Sequence, residues 1–209
     1  MFDANVMIER LIAGDEAALV QMVKDALDGG TQAKEILNQG LIAGMDIVGE
    51  KMENEDMFIP EVLMAAKAMG ACVQILKPLL SEEDNLSRGT VVIGTVKGDL
   101  HDIGKNLVAM MLGSAGFEII NLGVDITPDQ FVAGVKDNNA NMVCLSALLT
   151  TTMPMMKETI DAFSESGIRD QIKILVGGAP VTQTYADDIG ADGFAPDAGA
   201  ASKLAKSML

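Results

Sequence analysis

Apolar residues in the first 80 positions recur at spacings of three and four, the period of helices that pack on one face. Asp15 precedes the second such repeat, Gly29 and Gly30 end it, and Thr31 is a suitable N-cap for a third stretch reaching about residue 52. Pro60 suits the first turn of a last helix that runs to about residue 80. The pattern predicts a bundle of four or five helices over residues 1–80.

The periodicity changes after a polar, acidic stretch at residues 81–89, which we interpret as an interdomain linker. Short apolar runs then alternate with amphipathic helical patterns over residues 90–209. Strands are predicted near 90–96, 117–122, 141–147, 172–177 and 192–194, with helices near 103–115, 128–139, 153–166, 181–189 and 197–207. This alternation predicts a doubly wound, flavodoxin-like sheet of five parallel strands, so the fold class is α plus α/β in two domains.

Composition and charge narrow the classes of function. The 209 residues include 30 acidic and 15 basic side chains, a formal net charge of −15, which argues against nucleic acid as a partner. No apolar run approaches the ~18 residues that a membrane helix needs. The N-terminus lacks the basic start and apolar block of a secretory signal. We therefore expect a cytoplasmic protein with no membrane span, whose two cysteines are small buried hydrophobic residues.

His101 is the only histidine of the chain, and it follows the first predicted strand in the segment Asp99-Leu100-His101-Asp102-Ile103-Gly104. A carboxylate two residues before an imidazole suits a histidine whose near N–H is held by the acid while its far nitrogen binds a metal. Gly98 permits an abrupt turn, Asp102 can cap the helix that begins at Ile103, and Gly104 removes a side chain where a large group would otherwise collide. This segment is our first candidate for the chemistry.

Three further loops open on the same edge of the predicted sheet, where ligands of such folds bind. Strand three is followed by the hydroxyl-rich stretch Ser146–Thr152, which the topology places beside strand one. Strand four is followed by Gly177-Gly178-Ala179-Pro180, and strand five by Phe194-Ala195-Pro196-Asp197. Each loop alone is consistent with ordinary turn or capping chemistry. Together their small residues favour a deep slot at this edge.

The ligand types restrict the metal. There is no second histidine and no cysteine pair at metal spacing, which excludes an ordinary zinc or iron site. The glycine motifs of phosphate and dinucleotide sites are also absent from the sequence. A single histidine that gives one bond must serve a metal that brings its other ligands with it, and a macrocycle meets that requirement.

The motif Asp99-x-His101-x-x-Gly104, with Ser146-x-Leu148 and Gly177-Gly178, resembles the three-part motif of cobalamin-binding domains. The stretch from Glu55 to Met64 is similar to the helical cap before that domain in methionine synthase and in the corrinoid proteins of anaerobic methyltransferase systems. The resemblance covers about residues 3–207.

The resemblance implies a cobalamin bound with its own base displaced and with His101 as the lower ligand of cobalt. It implies that Asp99 and then Ser146 form a hydrogen-bonded relay behind His101, the three being the residues closest to the chemistry. The helical domain would cover the upper face of the cofactor through Phe58, Val62 and Met64. The remaining implied cofactor-binding residues are Gly98, Asp102, Ile103, Gly104, Leu148, Thr150, Thr151, Gly177, Gly178, Ala179 and Pro196.

The function implied is that of a methyl carrier without a catalytic site of its own. Its partners would be a donor-specific methyltransferase, an acceptor methyltransferase acting on tetrahydrofolate, and a reductive activase. Methanol, methylamine, betaine and aryl methyl ether carriers share these motifs, and no residue decides among the donors.

The alternatives are a radical-mutase subunit, a cobalamin-dependent sensor, or a receiver-like domain without a corrin. The helical half argues against the first, and the missing effector domain against the second. Ser146-Ala147-Leu148, where a receiver needs an acidic cluster, argues against the third.

Overall fold

The computed structural model describes residues 2–80 and 88–209, so residues 81–87 of the predicted linker lie outside the described residues. The chain divides into two compact units: one comprises Met1–Leu86 with Ser114–Gly116, and the other Ser87–Gly113 with Phe117–Leu209. The domain boundaries at residues 80 and 90 stay predictions.

The first unit contains four helical runs within residues 2–80. They are α1 (Ala4–Ile12), α2 (Glu16–Asp28), a third run made of α3 (Ala33–Glu35), a π-helical segment (Ile36–Ile42) and α4 (Ala43–Glu53), and α5 (Ile59–Leu76), which a 3-10 turn (Lys77–Leu79) extends. Asp3 caps α1 by accepting from the N–H groups of Asn5 and Val6, and Asp15 caps α2 by accepting from that of Ala18.

Two glycines explain how α1 packs against the third run. A Cβ atom at Gly40 would lie 2.4 Å from Sδ of Met7, and one at Gly44 would lie 2.4 Å from Cδ2 of Leu11. Met7 and Leu11 are fully buried, and burial of each such side chain contributes about 1.5–3 kcal/mol. These two glycines therefore allow α1 and the third run to approach each other closely.

Two sequence expectations for this unit need correction. Gln32, not Thr31, stands at the N-cap of α3, and it makes no side-chain capping bond. The segment Ile59–Leu79 is long and apolar enough to pass for a membrane span, contrary to the expectation that no such run exists. Within the structure this helix buries seven residues: Val62, Ala65, Ala66, Ala68, Met69, Cys72 and Leu76.

The second unit is the predicted parallel sheet. Its strands are β1 (Thr90–Val96), β2 (Glu118–Ile126), β3 (Met142–Ser146), β4 (Lys173–Gly177) and β5 (Gly193–Phe194), in the order β2-β1-β3-β4-β5. Its helices are α6 (Ile103–Ser114), α7 (Pro128–Asn138), α8 (Pro154–Glu165), α9 (Gln183–Ile189) and α10 (Ala198–Met208), with a 3-10 turn at Arg169–Gln171. β1 and β3 are buried along nearly their whole length, as parallel strands covered on both faces are.

The register of the sheet brings three strand ends together. Thr95 of β1 pairs with Ser146 of β3, and Ser146 pairs in turn with Gly177 of β4. The loops after β1, β3 and β4 therefore start side by side at the carboxyl edge. In a doubly wound sheet this is where the strand order reverses and where a ligand finds a crevice.

Candidate cofactor site at the carboxyl edge of the sheet

Asp99 is the centre of a hydrogen-bond network at this edge. Its side chain is fully buried, and both carboxylate oxygens accept several bonds. Oδ1 accepts from the main-chain N–H of His101 at 3.1 Å and from the imidazole Nδ1 of His101 at 2.7 Å. Oδ2 accepts from the N–H groups of Leu148 and Leu149 at 2.8 and 3.3 Å and from the Thr152 hydroxyl at 2.7 Å. The carboxylate thus ties the loop after β1 to the loop after β3.

These bonds decide the charge of Asp99. Burial alone would raise the pKa of its carboxyl group. The donors on Oδ1 and Oδ2, chiefly the N–H of His101, the Thr152 hydroxyl, the imidazole and the N–H of Leu148, outweigh burial and hold the pKa well below the ordinary value of 3.8. Asp99 is therefore an ionised carboxylate, which can only accept hydrogen bonds.

The state of Asp99 fixes the tautomer of His101. Since the carboxylate only accepts, Nδ1 of the imidazole carries a proton, and in the neutral imidazole Nε2 is the nitrogen with the free lone pair. The His101 side chain is 52% exposed, and the Thr95 hydroxyl donates to its carbonyl oxygen at 2.8 Å. An imidazole oriented in this way, with Nε2 accessible, is suited to bind a metal ion.

The hydroxyl bonded to Asp99 is that of Thr152, whereas the relay implied by the resemblance used Ser146. Thr152 is buried, and the turn in which its N–H donates to the Leu149 carbonyl at 3.0 Å brings it back toward Asp99. Ser146 is half-buried and makes no side-chain hydrogen bond to any residue that the structure describes. The sequence held a row of hydroxyls in this loop but gave no signal of which one faces the acid.

The surroundings of His101 are apolar and open. Leu100 and Ile103 are 70% and 82% exposed, and Leu148 and Leu149 are each 41% exposed. A Cβ atom added at Gly104 would meet nothing within 4 Å, so the position opens onto free space, and its part in making room for a large group stays a prediction. Contiguous exposed apolar side chains around an accessible imidazole favour a ligand with broad apolar faces.

The glycine pair after β4 has a different role from the one expected. A Cβ atom at Gly178, where φ is +130°, would lie 1.9 Å from the carbonyl oxygen of Ala147, and one at Gly177 would lie 3.1 Å from that of Ala195. The space beside these two glycines is therefore occupied by the chain's own backbone. They allow the loops after β3, β4 and β5 to touch, and they do not by themselves open a slot.

The remaining candidates in these loops are exposed at the same edge. Thr150 and Thr151 follow β3, Ala179 follows β4, and Pro196 follows β5, and each has an exposed side chain. Their part in binding stays a prediction.

The first turn of α6 carries a polar cluster that the sequence did not reveal. Asp102, predicted to cap the helix, accepts instead from the side-chain amide of Asn106 at 2.9 Å. Lys105 is 3% exposed, and its Nζ donates to the amide oxygens of Asn106 and Asn121 at 2.6 and 2.7 Å. Burial lowers the pKa of Lys105, partly offset by the charge of Asp102. A lysine in an amphipathic helix is ordinarily exposed, so the sequence position of Lys105 did not indicate that its side chain would be buried in this cluster.

The three candidates from the helical unit differ in exposure. Phe58 is 66% and Met64 is 54% exposed, so both are available to a ligand or a partner. Val62 is fully buried and belongs to the core face of α5, which contradicts its assignment to the cofactor. Ile59 and Leu63, at 47% and 39%, are the neighbouring exposed apolar side chains instead.

These residues fit a corrinoid. Among residues 2–80 and 88–209, no group of three or more His, Cys, Asp or Glu side chains could hold a bare metal ion. One fixed imidazole with a free Nε2, ringed by exposed leucine and isoleucine side chains, suits a metal whose other ligands come from a flat, largely apolar macrocycle.

Comparisons with known proteins give the same result. Family models described as B12 binding domains match residues 89–204 and residues 4–77. The chain is 44% identical over 209 residues to dimethylamine corrinoid protein 1 of Methanosarcina acetivorans, covering 96% of this chain and 98% of that one.

Two solved structures are also similar over nearly the whole chain. A cobalamin-binding protein from Desulfitobacterium hafniense matches with a TM-score of 0.85 and 32% identity, each chain being covered completely (100%). The methanol:cobalamin methyltransferase complex of Methanosarcina barkeri matches with a TM-score of 0.85 and 30% identity, over 97% of this chain and 77% of that one. The chain therefore belongs to the B12-binding family, among the corrinoid proteins that carry methyl groups in methyltransferase systems.

Proposed function

We propose that this chain binds cobalamin in the base-off form, with Nε2 of His101 as the lower ligand of cobalt, and carries a methyl group between two methyltransferases. The observation that carries the proposal is the Asp99–His101 pair, in which a buried carboxylate at 2.7 Å holds Nδ1–H and leaves Nε2 accessible. The bound cofactor supplies the cobalt that accepts and releases the methyl group.

The chain's own residues set the properties of that ligand. Asp99 holds Nδ1–H and so directs the lone pair of Nε2 toward the metal, and the Thr152 hydroxyl on Oδ2 moderates the charge that the imidazole feels. The exposed side chains of Leu100, Ile103 and Leu148 would contact the lower face of the macrocycle and exclude water from the metal.

The single histidine gives a direct test of the ligand. Protein produced with ¹⁵N-labelled histidine carries the label at His101 alone. After reconstitution with cobalamin and reduction to the paramagnetic cobalt(II) state, the nitrogen hyperfine pattern should change from the triplet of the unlabelled protein to a doublet. A triplet in both samples would mean that an unlabelled nitrogen, such as that of the cofactor's own base, is the ligand, and the absence of nitrogen splitting would mean that no nitrogen is bound; either result would refute the proposal.

A variant series supports the same assignment. His101→Ala should lose the histidine-on spectrum, and added imidazole should restore it because Nε2 is the only part of the side chain that the metal needs. Lys97→Ala, a change at an exposed position in the same loop, is the control and should leave the spectrum unchanged.

We propose a donor-specific methyltransferase, an acceptor methyltransferase using tetrahydrofolate and a reductive activase as partners, in the cytoplasm. Methylated amines are the first donors to test, since similar corrinoid proteins of Methanosarcina acetivorans are named for dimethylamine and trimethylamine. Methanol, betaine and aryl methyl ethers complete the panel.

The reduced holoprotein should be methylated only when a matching methyltransferase is added, because the described residues near His101 include no second metal site and no other histidine to activate a leaving group. Rapid methylation without a partner would refute the carrier function.

A further inference from the structure

The carboxyl end of β2 departs from regular strand geometry next to the Asp99 loop. From Ile93 to Val96, β1 advances three residues, whereas its partners in β2 advance five, from Asn121 to Ile126. Two register shifts therefore lie in this stretch. Asp125 within it has φ of +57°, a left-handed conformation that residues other than glycine seldom adopt.

Asp125 makes two hydrogen bonds to the loop that carries the candidate ligand. Its Oδ1 accepts from the main-chain N–H of Gly98 at 2.7 Å, and its own N–H donates to the main-chain carbonyl of Asp99 at 3.0 Å. The two bonds bracket the dipeptide Gly98–Asp99 at its start and at its end. The first has an ionised acceptor, which makes it a strong type of bond even though Asp125 is exposed.

The strained backbone of Asp125 is what permits both bonds. In the left-handed conformation its carboxylate and its N–H reach the same loop, and aspartate is among the few residues that tolerate this conformation. Unusual backbone conformations that persist beside a functional loop are a recognised reason to look for a role there. Gly98, with φ of +81°, supplies the matching turn on the other side.

We propose that Asp125 is a positioning residue for the lower ligand: it holds the backbone of Gly98 and Asp99 so that the Asp99 carboxylate meets both Nδ1 of His101 and the donors of the β3 loop. The proposal rests on the proposed function of His101. Asp99 bonds to partners on two loops, and a shift of its backbone would break some of these bonds in favour of others. Asp125 removes that freedom from the β2 side, while Thr95 holds the His101 carbonyl from β1.

Three substitutions separate the backbone conformation from the hydrogen bond. Asp125→Gly keeps the left-handed conformation and removes the acceptor, Asp125→Asn keeps the conformation and an acceptor oxygen, and Asp125→Ala removes the acceptor and opposes the conformation. Asn139→Ala is the matched control, because Asn139 is also left-handed, at φ of +48°, but it ends α7 just before β3, away from the carboxyl edge.

The first measurement uses the apoprotein and needs no cofactor. At a pH where imidazole is neutral, the ¹⁵N shifts of the single histidine report the ratio of the Nδ1–H and Nε2–H tautomers. Asp125→Gly should lower the Nδ1–H to Nε2–H ratio by about two- to tenfold, the equivalent of one hydrogen bond. Asp125→Asn should lower it less, and Asn139→Ala should leave it unchanged although the protein is less stable.

The second measurement uses the holoprotein. Asp125→Gly should release cobalamin faster and show a reduced histidine-bound fraction in the ¹⁵N hyperfine pattern. A wild-type tautomer ratio in Asp125→Gly would overturn the proposal, as would equal changes in Asp125→Ala and Asn139→Ala. If the wild-type holoprotein shows no ¹⁵N coupling, the ligand assignment fails, whereas the tautomer ratios still decide the role of Asp125.

Discussion

Removal of the Thr152 hydroxyl is the sharpest test of the network around Asp99. Thr152→Val keeps the shape of the side chain and deletes the donor that lies 2.7 Å from Oδ2 of a fully buried carboxylate. Hydrogen bonds to charged groups contribute about 1.5–3 kcal/mol. In the variant, Oδ2 keeps the N–H groups of Leu148 and Leu149 as donors, and the Leu149 carbonyl keeps its main-chain donors. We therefore expect the free energy of unfolding to fall by an amount near the lower limit, about 1.5 kcal/mol.

The same substitution should change the pH dependence of stability. The pKa of Asp99 in the folded protein lies well below its ordinary value of 3.8, so its contribution to stability is complete above that value and is lost as the pH falls through the folded pKa. Thr152 is one of the groups that lower this pKa. In Thr152→Val the folded pKa should therefore rise toward 3.8, so that the pH-dependent part of the stability becomes smaller and its loss on acidification is complete at a higher pH.

Urea unfolding of the apoprotein, followed by circular dichroism from neutral to acidic pH, measures both effects. Ser146→Ala is the control, since Ser146 has no side-chain hydrogen bond to the described residues, and it should change the free energy of unfolding by no more than about 0.5 kcal/mol. Equal losses in the two variants, or a larger loss in Ser146→Ala, would show that the Asp99–Thr152 bond is not what holds the two loops together.

Three further substitutions probe this part of the sheet, and Gly190→Ala at the end of α9 is a control for one of them. Gly178→Ala should lower the free energy of unfolding in urea by more than about 3 kcal/mol, because its Cβ atom would lie 1.9 Å from the Ala147 carbonyl oxygen. Gly190→Ala, where φ is also left-handed but the space is open, should lower it by only about 1 kcal/mol. Tyr185→Phe removes the hydroxyl that donates to the Met153 carbonyl at 2.7 Å and should cost about 1 kcal/mol by the same assay. Gly104→Leu should raise the stability of the apoprotein by a few tenths to about 1 kcal/mol, since leucine favours a helix, and should weaken cobalamin binding at least tenfold in a titration. A variant at Gly104 that bound cobalamin normally would show that the space beside it is not used.

The sheet was largely predictable because its signals are local. The apolar run of β1 was predicted at 90–96, where the structure has it, and the strand order follows from the handedness rule for parallel strands. β2 was predicted to end at 122 and continues to Ile126. Gly123 and Asp125 are typical strand breakers, and only the register shifts against β1 let the pairing continue past them.

The helical unit was predictable in outline and not in detail. The third run was predicted as one stretch, and it is continuous, but its π-helical segment at Ile36–Ile42 has no signature in a pattern of period 3.6. The burial of Val62 was missed for a related reason. α5 is apolar on most of its circumference, so the sequence could not tell its core face from the face that carries Phe58 and Met64.

In the candidate site, too, contacts between residues close in sequence were predictable and contacts between distant residues were not. The Asp99–His101 bond joins residues two positions apart, and the sequence motif was sufficient to predict it. The contacts of Thr152 and Asp125 with this segment span 53 and 27 positions along the chain, and both depend on turns in distant loops. The motif contains the proposed ligand and the carboxylate that accepts its Nδ1–H, and it omits the two contacts that hold this carboxylate in place. Cofactor affinity should therefore respond to changes at Thr152 and Asp125 even in a chain whose three-part motif is intact.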